Sequence, residues 1–217
     1  MSDDMRPARQ IEEHRAALDA VEDLLPVLET VAERTCAAFA AGGRLFSFGN
    51  GGSAADAQHL AAELIGRYLR ERRPLPAVAL SVDPSVVTCI ANDYAFDAVF
   101  ARQVEALAGP GDVVVAFTTS GRSQNVVDGL AMARRRGATT VLFGGGDGGP
   151  AREHADFALI VPGTITARIQ EMHLLMLHLL SDAVDRWAAG DGAAAVVVRS
   201  AAQSGAGTSS PEAGGMP

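Results

Sequence analysis

The chain has 217 residues and no lysine: its 18 Lys-or-Arg positions are all arginine. That excludes Schiff-base chemistry on a lysine and any phosphate clamp built on an ammonium group. Positive charge is scarce overall, with a formal net charge of −8. General binding to nucleic acid or to an anionic membrane needs a basic face, so neither partner is expected. Cysteine is nearly absent. Cys36 and Cys89 sit inside apolar segments without metal-site spacing, so they are expected as buried thiols in a reducing cytosol. The first ten residues, MSDDMRPARQ, hold no signal-peptide core, and no apolar run reaches the roughly 20 residues of a membrane helix. The expectation is a soluble, cytoplasmic protein.

What is present is apolar and compactly arranged. Hydrophobic residues make up 48% of the chain and charged ones only 20%, which suits one domain with a full core and some trimmings. The organising stretch is 45–68, LFSFGNGGSAADAQHLAAELIGRY. Leu45–Phe48 is long enough for a buried strand and too short for a helix. Gly49, Asn50, Gly51 and Gly52 follow, a turn where backbone can approach a ligand with few Cβ atoms in the way. Ser53 then reads as the N-cap of a helix running over 54–68. Unsatisfied N–H groups at such a helix start suit an anionic or hydroxyl-rich ligand.

The rest of the chain falls into three parts. Residues 1–42 form a helical arm, with Ile11, Leu18, Val21, Leu24, Leu25, Leu28, Val31, Cys36 and Phe39 largely at three- and four-residue spacing. Pro26 kinks that arm or splits it in two, and its wide apolar face suggests packing against another subunit. Residues 43–190 carry five short apolar runs separated by helical patterns. These predict an α/β domain with a five-stranded parallel sheet and helices on both faces. Residues 191–217 read as a flexible tail poor in large side chains.

Two polar turns, 49–53 and 118–123, each follow a strand directly and should meet at the carboxyl edge of the sheet, where such folds bind ligands. The second reads TTSGRS, with four hydroxyls in six residues. Hydroxyls and backbone N–H groups at a helix start hold phosphate without lysine. An ordinary N-cap would use one hydroxyl and leave three unexplained. His59 and Glu63 stand at i, i+4 on one helix face, which is either a plain side-chain contact or half of a metal site. Gln170 and His178 lie eight apart on the last helix, about 12 Å along its axis. Either the long side chains converge on one ion or a neighbouring subunit supplies a ligand. His173 matches no wider pattern and reads as a satisfied core histidine.

Four segments, GNGGSAADAQHLAAELIGRY, AND, TTSGRSQNV and TARIQEMHLLMLHLL, together resemble the phosphoheptose isomerases, members of the sugar isomerase (SIS) fold, over about 30–187. The resemblance implies interconversion of sedoheptulose 7-phosphate and D-glycero-D-manno-heptose 7-phosphate, a homotetramer, and one zinc ion per subunit. By its motifs, Asn50, Gly51, Gly52 and Ser53 bind the sugar, and Asn92 and Asp93 reach its hydroxyls from a loop. Thr118, Thr119, Ser120 and Ser123 hold the phosphate. His59, Glu63, Gln170 and His178 are the metal ligands, with Gln170 also touching substrate and Glu63 and His178 the acid/base pair. Thr118 stands where serine is frequent, Arg122 where a smaller polar residue is usual, and Ala167 where aspartate sometimes occurs. The alternative is a non-catalytic SIS-fold protein that binds a phosphosugar or a partner, resembling the replication initiator-associating protein. Retention of Glu63, Gln170 and His178 argues against it.

Overall fold

The computed structural model describes residues 7–190. The elements in order are α1 (Pro7–Glu22), α2 (Leu25–Ala40), β1 (Leu45–Gly49), α3 (Gly52–Ile65), β2 (Ala77–Ala79), α4 (Pro84–Asp93), α5 (Val99–Leu107), β3 (Val113–Thr118), α6 (Gln124–Arg135), β4 (Thr139–Gly145), β5 (Phe157–Val161) and α7 (Thr166–Ala188), with single 3-10 turns at Phe96–Ala98 and Pro150–His154. The expected tail, 191–217, lies outside the described residues. Among those described, no helix is long and apolar enough to cross a membrane.

The five strands form one parallel sheet in the order β2-β1-β3-β4-β5. Their runs are apolar without a polar alternate because both faces are covered. Leu45, Val113, Val115, Phe117, Val141, Phe143, Leu159 and Val161 join one core cluster with residues of α1, α2, α3 and α7. Their neighbours Phe46, Phe48, Val114, Ala116 and Leu142 join a second cluster with residues of α4, α5 and α6. Phe48, Phe117 and Phe143 are fully buried, and each such burial contributes about 1.5–3 kcal/mol relative to exposure. A one-residue slip of β3 would exchange the clusters its side chains enter, so the register is strongly fixed.

Chain order reverses between β1 and β3, because β2 turns back to one side and β3 continues on the other. A doubly wound sheet leaves its crevice at that point, beyond the carboxyl ends of the two strands. The expected two polar turns follow these two strands.

The arm does split at Pro26, which occupies the first turn of α2. There its missing N–H and fixed φ cost nothing. Both arm helices pack on α7, and Val21, Leu28, Val31, Ala32 and Phe39 lie in the core cluster of that face. Three local expectations are corrected. Ser53 is not the N-cap of α3; Gly51 is, at φ 57, and Ser53 lies one position inside the first turn and is buried. The cap position needs a left-handed backbone, which glycine adopts without a Cβ penalty. Asn92 and Asp93 are not in a loop but in the last turn of α4, which runs past the expected end at Ala91. The turn-forming composition of the Asn-Asp pair did not outweigh a helix already nucleated by Asp83, whose side chain accepts from the amides of Ser85 and Val86. Cys89 is exposed, not buried, with its thiol 3.4 Å from Asp93 Oδ2. It lies on the outer side of α4, an element whose apolar composition exceeds its buried face. Cys36 is partly buried, and that burial pushes its thiol up to about 12.

Candidate functional site

Three helix N-termini converge on one cavity at the β1–β3 crevice. It holds about 200 Å³ and is lined by Asn50, Ser53, Phe117, Thr118, Thr119, Ser120, Ser123, Thr166 and Gln170. Ser53 comes from the first turn of α3, Ser123 is the N-cap of α6, and Thr166 opens α7. Each helix start carries orphan N–H groups and about half a positive charge, so the three together favour an anion. That supplies the electrostatics a lysine would otherwise provide. Ser123 makes no side-chain capping bond. Thr118 Oγ1 accepts from the amide of Gly121 at 3.1 Å, and Ser120 Oγ from that of Arg122 at 3.2 Å. These bonds shape the TTSGRS turn.

Asn125, to which the sequence reading gave no role, braces the cavity from behind. Its amide and that of Asn50 exchange two hydrogen bonds, 2.8 and 2.9 Å, and Asn125 is 2% exposed. The signal was a polar residue in the otherwise apolar inner stripe of α6. Thr166 and Phe117 also line the cavity, and the sequence assigns a role to neither.

A second cluster lies further along the same pair of helices. Ligand atoms of His59, Glu63 and His178 all lie within 4.8 Å of one another. His59 Nε2 is 2.9 Å from Glu63 Oε1. The His178 ring meets His59 edge-on at 5.0 Å and stacks on Tyr68 at 5.5 Å and 22°. Burial, with the charge on neighbouring His59, lowers the pKa of His178 against the opposing pull of Glu63. A neutral imidazole is the form that binds a metal. Two imidazoles and a carboxylate at this spacing could hold a divalent ion. Asp56, one turn before His59, has one carboxylate oxygen buried without a partner, and burial raises its pKa to about 6 although nearby His59 opposes the rise.

Of the expected metal set, three residues meet. Gln170 stands two turns earlier on α7, where its amide packs over Gly52: a Cβ there would lie 2.6 Å from Gln170 Nε2. It lines the cavity beside Asn50 and Ser53. Asn92 and Asp93 are exposed and bonded to each other at 2.8 Å, and neither lines the cavity. His173 is a core histidine as expected, 0% exposed, but only half satisfied: Nε2 donates to Gly144 O at 3.0 Å while Nδ1 is buried without a partner. Arg122 is exposed and pairs with Asp147 at 2.7 Å.

Comparison with known proteins shows the family and the fold. A SIS-domain family model matches residues 11–145. The phosphoheptose isomerase of Geobacter metallireducens is 52% identical over 178 residues, 82% of this chain and 94% of that protein. Among solved structures, a phosphoheptose isomerase from Neisseria gonorrhoeae superposes with a TM-score of 0.77 at 41% identity, covering 82% of this chain and 95% of that one. One from Francisella tularensis gives 0.77 at 32%, covering 84% and 100%. A crevice built from three helix N-termini and a neighbouring His-Glu-His cluster thus stands within a close sequence relationship, and the chain belongs to the phosphoheptose isomerases, enzymes built on the SIS domain.

Proposed function

We propose that the protein interconverts sedoheptulose 7-phosphate and D-glycero-D-manno-heptose 7-phosphate through an enediol, as a zinc-dependent homotetramer. The convergence of Glu63 with His59 and His178 carries this reading. The phosphate is bound in the cavity by Thr118, Thr119, Ser120 and Ser123, on hydroxyls and helix N-termini. Asn50, Gly51, Gly52, Ser53 and Gln170 orient the chain of hydroxyls leading away from it, and Asn92 and Asp93 join from α4. The carbonyl end then reaches towards the trio.

Aldose–ketose isomerisation moves one proton between adjacent carbons. Glu63 takes the proton from the carbon beside the carbonyl and returns it to the neighbouring carbon. One of its oxygens is engaged with His59 Nε2, and the other is the assigned base. His178 moves protons at the two oxygens, and its lowered pKa keeps a neutral, proton-accepting imidazole available near pH 7. His59, Glu63, His178 and the reaching amide of Gln170 would hold zinc, which supplies Lewis-acid stabilisation of negative charge on the carbonyl oxygen. A carboxylate held tightly by a cation is a weak base, so Glu63 would serve as base with the oxygen not engaged by the ion.

The tetramer reading rests on Ile11, Leu18 and Leu25, which recur at seven-residue intervals on the arm and are 54%, 40% and 37% exposed. Incubation with sedoheptulose 7-phosphate and zinc, followed by product analysis, tests the reaction. Formation of the aldose phosphate is expected, and binding without conversion would favour a non-catalytic sugar-phosphate binder.

A further inference from the structure

The loop after α3 closes over a buried ion pair that neither the cavity nor the trio includes. Arg72 and Asp185 have side chains 1% and 0% exposed, with Arg72 Nε donating to Asp185 Oδ1 at 2.8 Å. The guanidinium directs its other donors at the end of α3. Nη2 meets Glu63 O at 2.6 Å, and Nη1 meets Leu64 O at 2.8 Å, Gly66 O at 3.0 Å and Arg73 O at 3.0 Å. The last carbonyls of a helix lack intrahelical partners, and here one fixed fork satisfies several of them. Asp185 Oδ2 accepts from the amides of Leu69 and Arg70 at 2.9 and 2.6 Å. Burial alone would raise the Asp185 pKa, but these amides and Arg72 outweigh it and hold the carboxyl below its usual value.

The two residues bear on the two halves of the trio. Arg72 grips the backbone of Glu63 itself. Asp185 lies seven residues, two turns, beyond His178 on α7, on the same side. The loop folded over Asp185 begins with Tyr68, whose ring lies against that of His178. Stability alone is a poor account of the pair. Desolvating both charges costs several kcal/mol per ion, and well-packed apolar residues of similar volume often serve stability as well. Apolar packing already seats α3 against α7, and the directional bonds of the pair add a fixed anchor at the end of α3 that packing does not supply.

We propose that Arg72 and Asp185 are the positioning pair of the metal site, setting Glu63 and His178 at ligating distance from opposite helices. This inference rests on the metal reading above. Groups one layer out from metal ligands typically change affinity by about 10–100-fold when altered. The phosphate cavity, at the other end of both helices, is independent of the pair.

The test uses the full chain, with zinc alone titrated against a chromophoric chelator and sedoheptulose 7-phosphate binding measured by calorimetry. Asp185→Asn keeps the size and one acceptor but drops the charge. Arg72→Lys keeps the cation but loses the fork to Glu63 and Leu64. Both should bind zinc at least about tenfold more weakly than wild type and the sugar phosphate within about twofold, and excess zinc should restore their turnover. Folded variants with wild-type zinc affinity overturn the inference, as do variants losing zinc and sugar-phosphate affinity by the same factor. If Asp185→Asn does not fold, Arg72→Lys decides alone, and failure of both to fold assigns the pair to stability and overturns it. A wild-type chain that holds no zinc removes the metal reading, and this inference with it. Zinc binding in wild type with no loss in the variants removes the inference only.

Discussion

The two ends of the α3–α7 seam are built by different means. At the cavity end the ligand faces helix starts, backbone turns and short hydroxyl side chains, all placed by strands buried on both faces. At the trio end three long side chains, two from α3 and one from α7, meet above the surface of the sheet. The first is as rigid as the sheet edge. The second is only as exact as the relative position of two helices, and it relies on contacts such as Arg72–Asp185 and Tyr68–His178. The cavity is thus secured by the fold itself, while the trio depends on side-chain placement that the fold alone does not guarantee.

The sharpest way to separate the ends is Glu63→Gln, which keeps size and one oxygen but removes the base. General acid/base groups contribute about 10²–10⁴-fold, so turnover should fall at least about a hundredfold. The cavity is untouched, and calorimetry with zinc present should give sedoheptulose 7-phosphate affinity within a few-fold of wild type. Equal turnover would end the assignment of Glu63 as base.

Sequence reading reached the two ends unequally, for the same reason. The cavity was legible because each part is local: a strand, a glycine or hydroxyl turn, a helix start, all within ten residues. Gly51 and Ser53 exchanged roles, since local sequence marks where a turn occurs more sharply than which residue takes the left-handed backbone. The trio was half legible, with His59 and Glu63 joined by helix spacing and His178 supplied by resemblance. What remained hidden was long-range. Asn50–Asn125 and Arg72–Asp185 join residues 75 and 113 positions apart, and Arg72 stands in a stretch, RERRP, that reads as a charged surface loop. A charge becomes buried there only because α7 brings an acid and the end of α3 brings carbonyls. Gln170 lies eight positions before His178 on α7, about 12 Å along the axis, a separation its long side chain must bridge to share an ion with the trio.

α7 serves both ends, so weakening its seat on the sheet should affect both together. His173 fixes it to β4 through Gly144 and is fully buried with Nδ1 unpartnered. Burial lowers its pKa from 6.5 to about 4, against the hydrogen bond to Gly144. The folded chain therefore resists the proton and the unfolded chain accepts it near 6.5. Stability is complete above pH 6.5 and is lost as pH falls towards 4, by about 3 kcal/mol for that shift. Thermal unfolding at pH 7.5 and 4.5 should show His173→Gln losing less than wild type over this interval. An identical loss in both would show that other groups govern it.

A smaller effect, confined to the cavity end, is expected from Gly49→Ala. A Cβ there would lie 2.6 Å from Ser53 O and 2.8 Å from Phe117 O, both backbone atoms that have no rotamer to yield. Overpacking of this kind costs about 1–3 kcal/mol, readable by denaturant titration. The variant should bind sedoheptulose 7-phosphate more weakly while its zinc affinity stays within about twofold of wild type. Loss of zinc affinity in step with the sugar phosphate would mean the two ends are coupled through α3.

The smallest effect should come from Arg122, the one cation beside the phosphate turn in sequence. Its guanidinium faces Asp147, with the two side chains 61% and 69% exposed, and Asp147 is further held by the amide of Gly149 at 2.9 Å. An ion pair so exposed contributes little and is screened by salt. Three helix N-termini already provide the field for an anion. Arg122→Ala should therefore change sedoheptulose 7-phosphate affinity by no more than about threefold, and the ratio should be flat between 50 and 300 mM salt. A tenfold loss that shrinks with salt would show the arginine leaving Asp147 for the phosphate, and the cavity end would then depend on a long side chain after all, as the trio end does.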